Sequence, residues 1–268
     1  MIEAVVRRKL GSGQSRANEC SEDLLTSTAF GLLRYLPHDH GVIALLRQTR
    51  RAYLDGGNLV VDDARNEKWL GMQTAVRCEF EFWPWWGPYG QPDLVLRLFD
   101  DCGSLVHLVV VEVKLRAHKS GAAVEGDGEP TGDEPDVDQL VKYWQGINAN
   151  WPELMGDRKT VIYLTSHVIP PVDELAATLG RKSEMRLGWL SWRRLSRVIE
   201  DLCRSSVNSL PAEDLARLLE YYGFQDFQGM RCEPSSWPHD GHFWRKGNWF
   251  AVLPMLNPNQ QKRFWRAR

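Results

Sequence analysis

Two carboxylates and one amine stand at the ends of a single apolar stretch. Pro92-Asp93 opens it, Leu94 to Phe99 forms one arm, Asp100-Asp101-Cys102-Gly103-Ser104 turns, and Leu105 to Val111 leads into Glu112-Val113-Lys114. Arms rich in Val, Leu and Phe around a short Asp/Gly/Ser turn predict an antiparallel hairpin. Strand side chains alternate with period two, so Glu112 and Lys114 share a face and Val113 takes the other. Antiparallel pairing sets the start of one arm beside the end of its partner, which brings Asp93 next to Glu112. Burying such groups unpaired is costly. A trio converging there therefore implies either charge-handling chemistry or, more blandly, an acid at a strand start beside a cross-face ion pair.

Other elements must position the trio. Residues 1–20, with Gly11-Ser12-Gly13-Gln14-Ser15, read as a flexible lead-in; no Gly-Lys-Ser/Thr follows and no strand precedes, so a P-loop fails. Ser21-Glu22-Asp23 resembles a helix start, Leu25, Ala29, Leu32, Leu33 and Leu36 give its apolar stripe, and Pro37 stops it. A second helix is expected over Val42 to Tyr53, ending at Asp55-Gly56-Gly57-Asn58. Between Trp69 and Trp86, alternation of Val76, Cys78, Phe80 and Phe82 with Arg77, Glu79, Glu81 and Trp83 predicts a half-buried strand. An aromatic loop, Trp83 to Gly90, leads into the hairpin.

Beyond Lys114, residues 120–138 carry seven acids (Glu125, Asp127, Glu129, Asp133, Glu134, Asp136 and Asp138) and little apolar content. They read as a mobile loop, either an inert insertion or a negative flap over a cationic groove. Val137 to Asn148 is the next helix; Gln139 and Tyr143, four apart, share a face on it. Lys159 to Ser166 reads as a buried strand, Val172 to Leu179 as a short helix ended by Gly180, and Arg186 to Trp192 as another strand. Helices over Arg193 to Ser205 and Pro211 to Tyr222 follow. From Gly223 the composition turns to Phe, Trp, Gly and Pro, with a hairpin expected over Phe243 to Leu253. The order predicts an α/β fold, a mixed sheet covered by helices on both faces.

Composition narrows the class. The 268 residues allow one sizeable core or a main domain with a small addition. A net charge of −2 means that any nucleic-acid surface must be a local patch. Five scattered cysteines without a C-x-x-C pair argue against a disulfide framework or a zinc site and suit a reduced, cytoplasmic setting. The start lacks a signal-peptide core and no apolar run is long enough to span a membrane.

Taken together, Pro92-Asp93 and Glu112-Val113-Lys114 resemble the PD-(D/E)XK nuclease signature. Gln139 with Tyr143 is similar to the Q-x-x-x-Y element of the RecB-like branch of that superfamily. Its restriction-endonuclease-like core runs αβββαβ, in agreement with the order above, and the resemblance covers Ser21 to Ser166. Nothing is carried over from it beyond Ser166; the order of elements in this chain sets the expected nuclease domain at 21–206 and leaves 207–268 as an aromatic-rich helical and hairpin extension. An acid on the first helix usually completes the set; Glu22 matches best, with Glu19 and Asp23 as competitors.

The implied activity is Mg²⁺-dependent hydrolysis of DNA phosphodiester bonds, with Mn²⁺ as a substitute. Asp93, Glu112 and the Val113 carbonyl would hold the ion, and Glu22 a second ion or a metal-bound water, since Mg²⁺ takes hard oxygen ligands. Lys114 would orient or activate the water or stabilise charge on the phosphate, jobs that call for different protonation states. Gln139 and Tyr143 would touch the DNA backbone or brace the ligands, and Lys142 would contact a phosphate. The kind of chain in which this domain often occurs suggests defence against foreign DNA, or DNA processing, with a partner protein or a second copy of the chain as open alternatives. A non-catalytic nucleic-acid-binding or assembly module of the same fold, and an RNA-directed nuclease, are the competing functions.

Blander readings stand beside these. Glu22 could be an ordinary first-turn acid favoured by the helix dipole. Gln139 and Tyr143 could mark the edge of an amphipathic helix. Trp83, Trp85 and Trp86 could stack on bases, though packing is the commoner use. His38-Asp39-His40 and His239-Asp240-Gly241-His242 lack metal-ligand spacing on a helix. Lys262, Arg263, Arg266 and Arg268 form a basic tail of the kind that is usually solvated.

Overall fold

The computed structural model describes residues 17–63, 72–115, 138–204 and 210–225, all within the first of two compact units, Met1–Asp226. Among them are strands β1 (Arg50–Asp55), β2 (Asn58–Asp63), β3 (Arg77–Phe82), β4 (Leu94–Phe99), β5 (Leu105–Lys114), β6 (Lys159–Thr165) and β7 (Leu187–Ser191). Helices α1 (Ala17–Leu33), α2 (Val42–Leu46), α3 (Gln139–Asn150), α4 (Val172–Arg181), α5 (Trp192–Arg204) and α6 (Leu210–Tyr221) flank them. The expected α/β architecture is present: a seven-stranded mixed sheet in the order β2-β1-β7-β6-β5-β4-β3. Strands β5, β6 and β7 pair in parallel and the remaining neighbours antiparallel.

Parallel strands are covered on both faces, and the sequence of β6 shows it, all seven of its residues being buried. On one face Val109, Val111 and Val113 of β5 pack with Leu25, Leu33, Ile43, Leu195 and Leu215 of α1, α2, α5 and α6. On the other, Leu108 and Val110 pack with Leu140, Ile147, Leu175 and Leu179 of α3 and α4. Because β3, β5, β6 and β7 run the same way and β4 runs against them, four strand ends and the start of β4 lie at one end of the sheet. Near the opposite end of β5 sits a buried polar pair, His107 Nε2 and Thr160 Oγ1, 2.9 Å apart. Burial, aided by the Arg186 and Arg158 charges, lowers that imidazole to about 3.

Four expectations are corrected. The second helix stops at Leu46, and residues 50–63 form a hairpin whose β1 pairs with β7. Gly56 and Gly57 have φ of 56° and 88°, the positive values that a two-residue hairpin turn demands. Asp55-Gly56-Gly57-Asn58 is thus the centre of a hairpin and not the end of a helix. In β3, Cys78 and Phe82 are buried, but Val76 lies outside the strand and is exposed. The first helix begins at Ala17, upstream of Ser21 and inside the stretch read as a lead-in, so Glu22 sits beyond its first turn. Finally, α6 packs Ala212, Leu215 and Leu219 into the same core as α1 and α5, so a domain boundary at residue 206 cuts through that core; the two units divide after Asp226. The acidic stretch before Asp138, the hairpin expected over Phe243 to Leu253, His239, His242 and the basic tail lie outside the described residues.

Candidate active site

The β4–β5 register pairs Leu94 with Val111, which sets Asp93 opposite Glu112 as the hairpin reading requires. The Asp93 carboxylate accepts the Val113 amide at 2.8 Å, and its carbonyl accepts the Trp83 amide at 3.1 Å. Glu112 is buried, and its Oε1 lies 2.8 Å from the Lys114 ammonium. Both side chains project on the α3 face, while Val113 packs into the opposite layer. In an extended strand a residue's N–H and C=O point the same way. The Val113 carbonyl therefore faces the Asp93 side, just past the last β4 pair.

Glu22 reaches the same corner but does different work. One of its oxygens accepts the Leu115 amide at 2.6 Å and the other lies 3.4 Å from the Lys114 ammonium. Among the described residues the only trio of His, Cys, Asp or Glu whose ligand atoms lie within 4.8 Å of one another is Asp100, Asp101 and Cys102, in the β4–β5 turn. Glu22 thus does not share a ligand-distance cluster with Asp93 and Glu112; it pins the end of β5. The turn acids are partly or fully exposed and far along the strand from Glu112.

Helix α3 supplies the wall. Asp138 caps it, accepting the Leu140 amide at 2.9 Å and the Thr178 hydroxyl at 2.6 Å. Gln139 Nε2 donates to the Tyr143 hydroxyl at 2.5 Å, which donates to the Gln91 carbonyl at 3.0 Å; the Gln91 amide in turn donates to the Trp83 carbonyl at 2.9 Å. This chain ties α3 to the loop that delivers Asp93. Trp86 stacks edge-on against Tyr143, and a Cβ at Gly146 would lie 2.7 Å from Trp86 and 2.9 Å from Tyr89, so only glycine permits that approach. Lys142, turned about 100° round the helix from Tyr143, is half-buried and meets no member of the trio.

Charge is unbalanced in this corner. Three carboxylates face one ammonium. Burial and the Asp93 charge hold Glu112 well above the usual carboxylate range despite the pull of Lys114. Burial also raises Glu22, against the opposing influence of Lys114 and the Leu115 amide. For Lys114 burial alone would favour the neutral amine, but Glu112, Asp93 and Glu22 together outweigh it and hold the ammonium above its ordinary range. Tyr143 is pushed far up by burial and by the Glu112 and Asp93 charges, so it stays a phenol. A buried carboxylate that one ammonium fails to satisfy, a second carboxylate beside it and a carbonyl on the same side make an all-oxygen donor set. Such a set fits a hard divalent cation.

Several contributors carried no sequence signal. Gln91, the Leu115 amide and Ser166, whose hydroxyl donates to the Leu115 carbonyl at 2.5 Å and whose amide donates to the Lys114 carbonyl at 3.2 Å, act through backbone contacts that no residue pattern announces. His38 accepts the Cys78 amide at 3.0 Å. Trp83 and Trp86 are packed, whereas Trp85 is exposed. A cleft of about 520 Å³ along Arg34, Phe80 and Arg97, and another of about 410 Å³ along Arg51 and Arg186, lie elsewhere. No family model, curated protein or solved structure matches the chain.

Proposed function

We propose that this protein is a metal-dependent nuclease of the PD-(D/E)XK type that hydrolyses DNA phosphodiester bonds. The observation that carries the reading is the convergence of Asp93, Glu112 and Lys114 at the end of β5, braced by Tyr143 and Gln139 from α3. Asp93, Glu112 and the Val113 carbonyl would hold a Mg²⁺ or Mn²⁺ ion, which supplies Lewis acidity and an acidified water when bound. Lys114, held protonated by Glu112, Asp93 and Glu22, is suited to meeting negative charge that grows on the phosphate as it is attacked. Glu22 holds Lys114 and the strand end in place. Tyr143 and Gln139 keep the Asp93 loop fixed against α3, the preorganisation that positioning demands. Action in foreign-DNA defence or DNA processing, and a partner protein, belong to the same proposal.

The test is cleavage of plasmid and linear DNA, with RNA in parallel, in Mg²⁺ or Mn²⁺, by wild type, Asp93→Ala and Lys114→Ala. Metal-dependent cleavage by wild type and its loss in both variants is the expected result. Equal cleavage by all three would show a contaminating enzyme. Binding of DNA without cleavage would favour a non-catalytic module of the same fold, and cleavage of RNA alone would move the substrate class.

A further inference from the structure

We propose that single-stranded nucleic acid is the form this site holds, its bases resting on two exposed apolar flanks that bracket the carboxylates. The inference deepens the nuclease reading and rests on it for the position of the phosphate.

The flanks follow from topology. Trp85 lies in the β3–β4 loop and Val168 and Ile169 lie in the segment after β6; both loops leave the sheet at the end where Glu112 and Lys114 stand. Trp85 is 73% exposed, Val168 69% and Ile169 74%. Val172, at the start of α4, adds to the second flank. In the sheet order β6 adjoins β5 on one side and β4, followed by β3, lies on the other, so the two loops leave the sheet on opposite sides of β5.

Neither flank is a loose loop end. Trp85 stands between packed Trp83 and Trp86, in a loop closed by the Trp86 amide on the Gly90 carbonyl at 2.9 Å and by Gln91 on Trp83. The second flank is fixed by Ser166 on Leu115, by the Ser191 hydroxyl on the His167 carbonyl at 2.8 Å, and by Pro170 and Pro171. Single exposed apolar residues are ordinary. Two braced sets on either side of a charged centre are a different matter, because a polyanion brings there the one part of itself that is apolar. Stacking on an aromatic face accepts any base, provided that the base is free of its own stack. A paired duplex presents only phosphates and groove edges, so the flanks favour an unpaired strand.

The test is binding of a fluorescein-labelled single-stranded oligonucleotide in Ca²⁺, compared with an abasic oligomer of the same backbone and with the duplex. Proteins are wild type, Trp85→Ala, Trp85→Tyr and the double variant Val168→Ser/Ile169→Ser. The expected result is preference of wild type for the base-bearing strand over both others, about tenfold weaker binding of that strand by Trp85→Ala, and recovery in Trp85→Tyr. A loss of the same size for the abasic oligomer would mark a structural effect and overturn the assignment, as would equal or tighter binding of the duplex. Self-association of wild type that the apolar substitutions abolish would also overturn it, making the flanks a protein interface. Failure of the nuclease reading shows separately, as no metal-dependent cleavage by wild type.

Discussion

Strand β5 buries two ionisable side chains, His107 near its start and Glu112 near its end, and treats them in opposite ways. His107 is given one hydroxyl partner, Thr160, and is kept neutral, since burial lowers it to about 3. Glu112 is placed beside a second carboxylate and an ammonium, and burial raises it without removing the crowding. A fold that needed only stability would treat both as it treats His107, because a buried titratable group beside a neutral partner is cheaper than one crowded by a like charge. The difference marks the end of β5 as a place where the structure accepts unfavourable electrostatics. Crowding of this kind is what the proposed nuclease centre would require.

The comparison breaks most visibly in catalysis. Removal of either Asp93 or Lys114 should lower metal-dependent cleavage by at least about a hundredfold, whereas His107→Gln should leave most of it, both read from initial rates on linear DNA. Stability comes next. Lys114→Met leaves Glu112 buried without its counter-charge and should cost about 3–5 kcal/mol in urea unfolding at neutral pH, while Glu112→Gln should be neutral or stabilising. Working the sign for Glu112, its folded value lies above its unfolded one, so the folded form binds the extra proton. Stability attributable to it is present at low pH and is lost as pH rises, and Glu112→Gln removes that loss.

Saturating Mg²⁺, at about 100 times its dissociation constant, should add about 2.7 kcal/mol to the unfolding free energy of wild type and none to Asp93→Asn. That result would be independent of any assay of cleavage. Gly146→Ala should cost about 1–3 kcal/mol by overpacking Trp86 and Tyr89, and should weaken activity through the displaced loop. The smallest effect, taken per pH unit, sharpens the other half of the comparison. The folded value of His107 lies below its unfolded one, so its contribution is present above about pH 6.5 and is lost as pH falls towards about 3. The slope should reach at most about 1.4 kcal/mol per pH unit, and His107→Gln should flatten that part of the profile.

The trio was legible because it needs little more than two rules, the alternation of strand side chains and the antiparallel return of a hairpin. Gln139 and Tyr143 were legible for a similar reason, a four-residue step on one helix. The β1–β2 hairpin was not, because Val42 to Tyr53 is short and apolar enough to suit either period. Its strand character is settled by pairing with β7, a contact more than a hundred residues away in sequence. Glu22 stands at this corner, and its partners there are the Leu115 amide and the Lys114 ammonium. A residue type tells which atoms it can engage, and only the packing of α1 over the end of β5 selects among them.

The β1–β2 hairpin also decides what the sheet shows to other molecules. Without it the outermost strand on that side would be β7, five residues all buried and bearing no charge, the kind of border onto which a second chain readily pairs. With it, that border is β2, which carries the exposed Asp62, and the far border is β3, with Arg77, Glu79 and Glu81. Both margins of the sheet are therefore charged, and the hairpin acts as a guard against aggregation as much as a part of the core. A variant lacking residues 50–63 should lose solubility before it loses the end of β5.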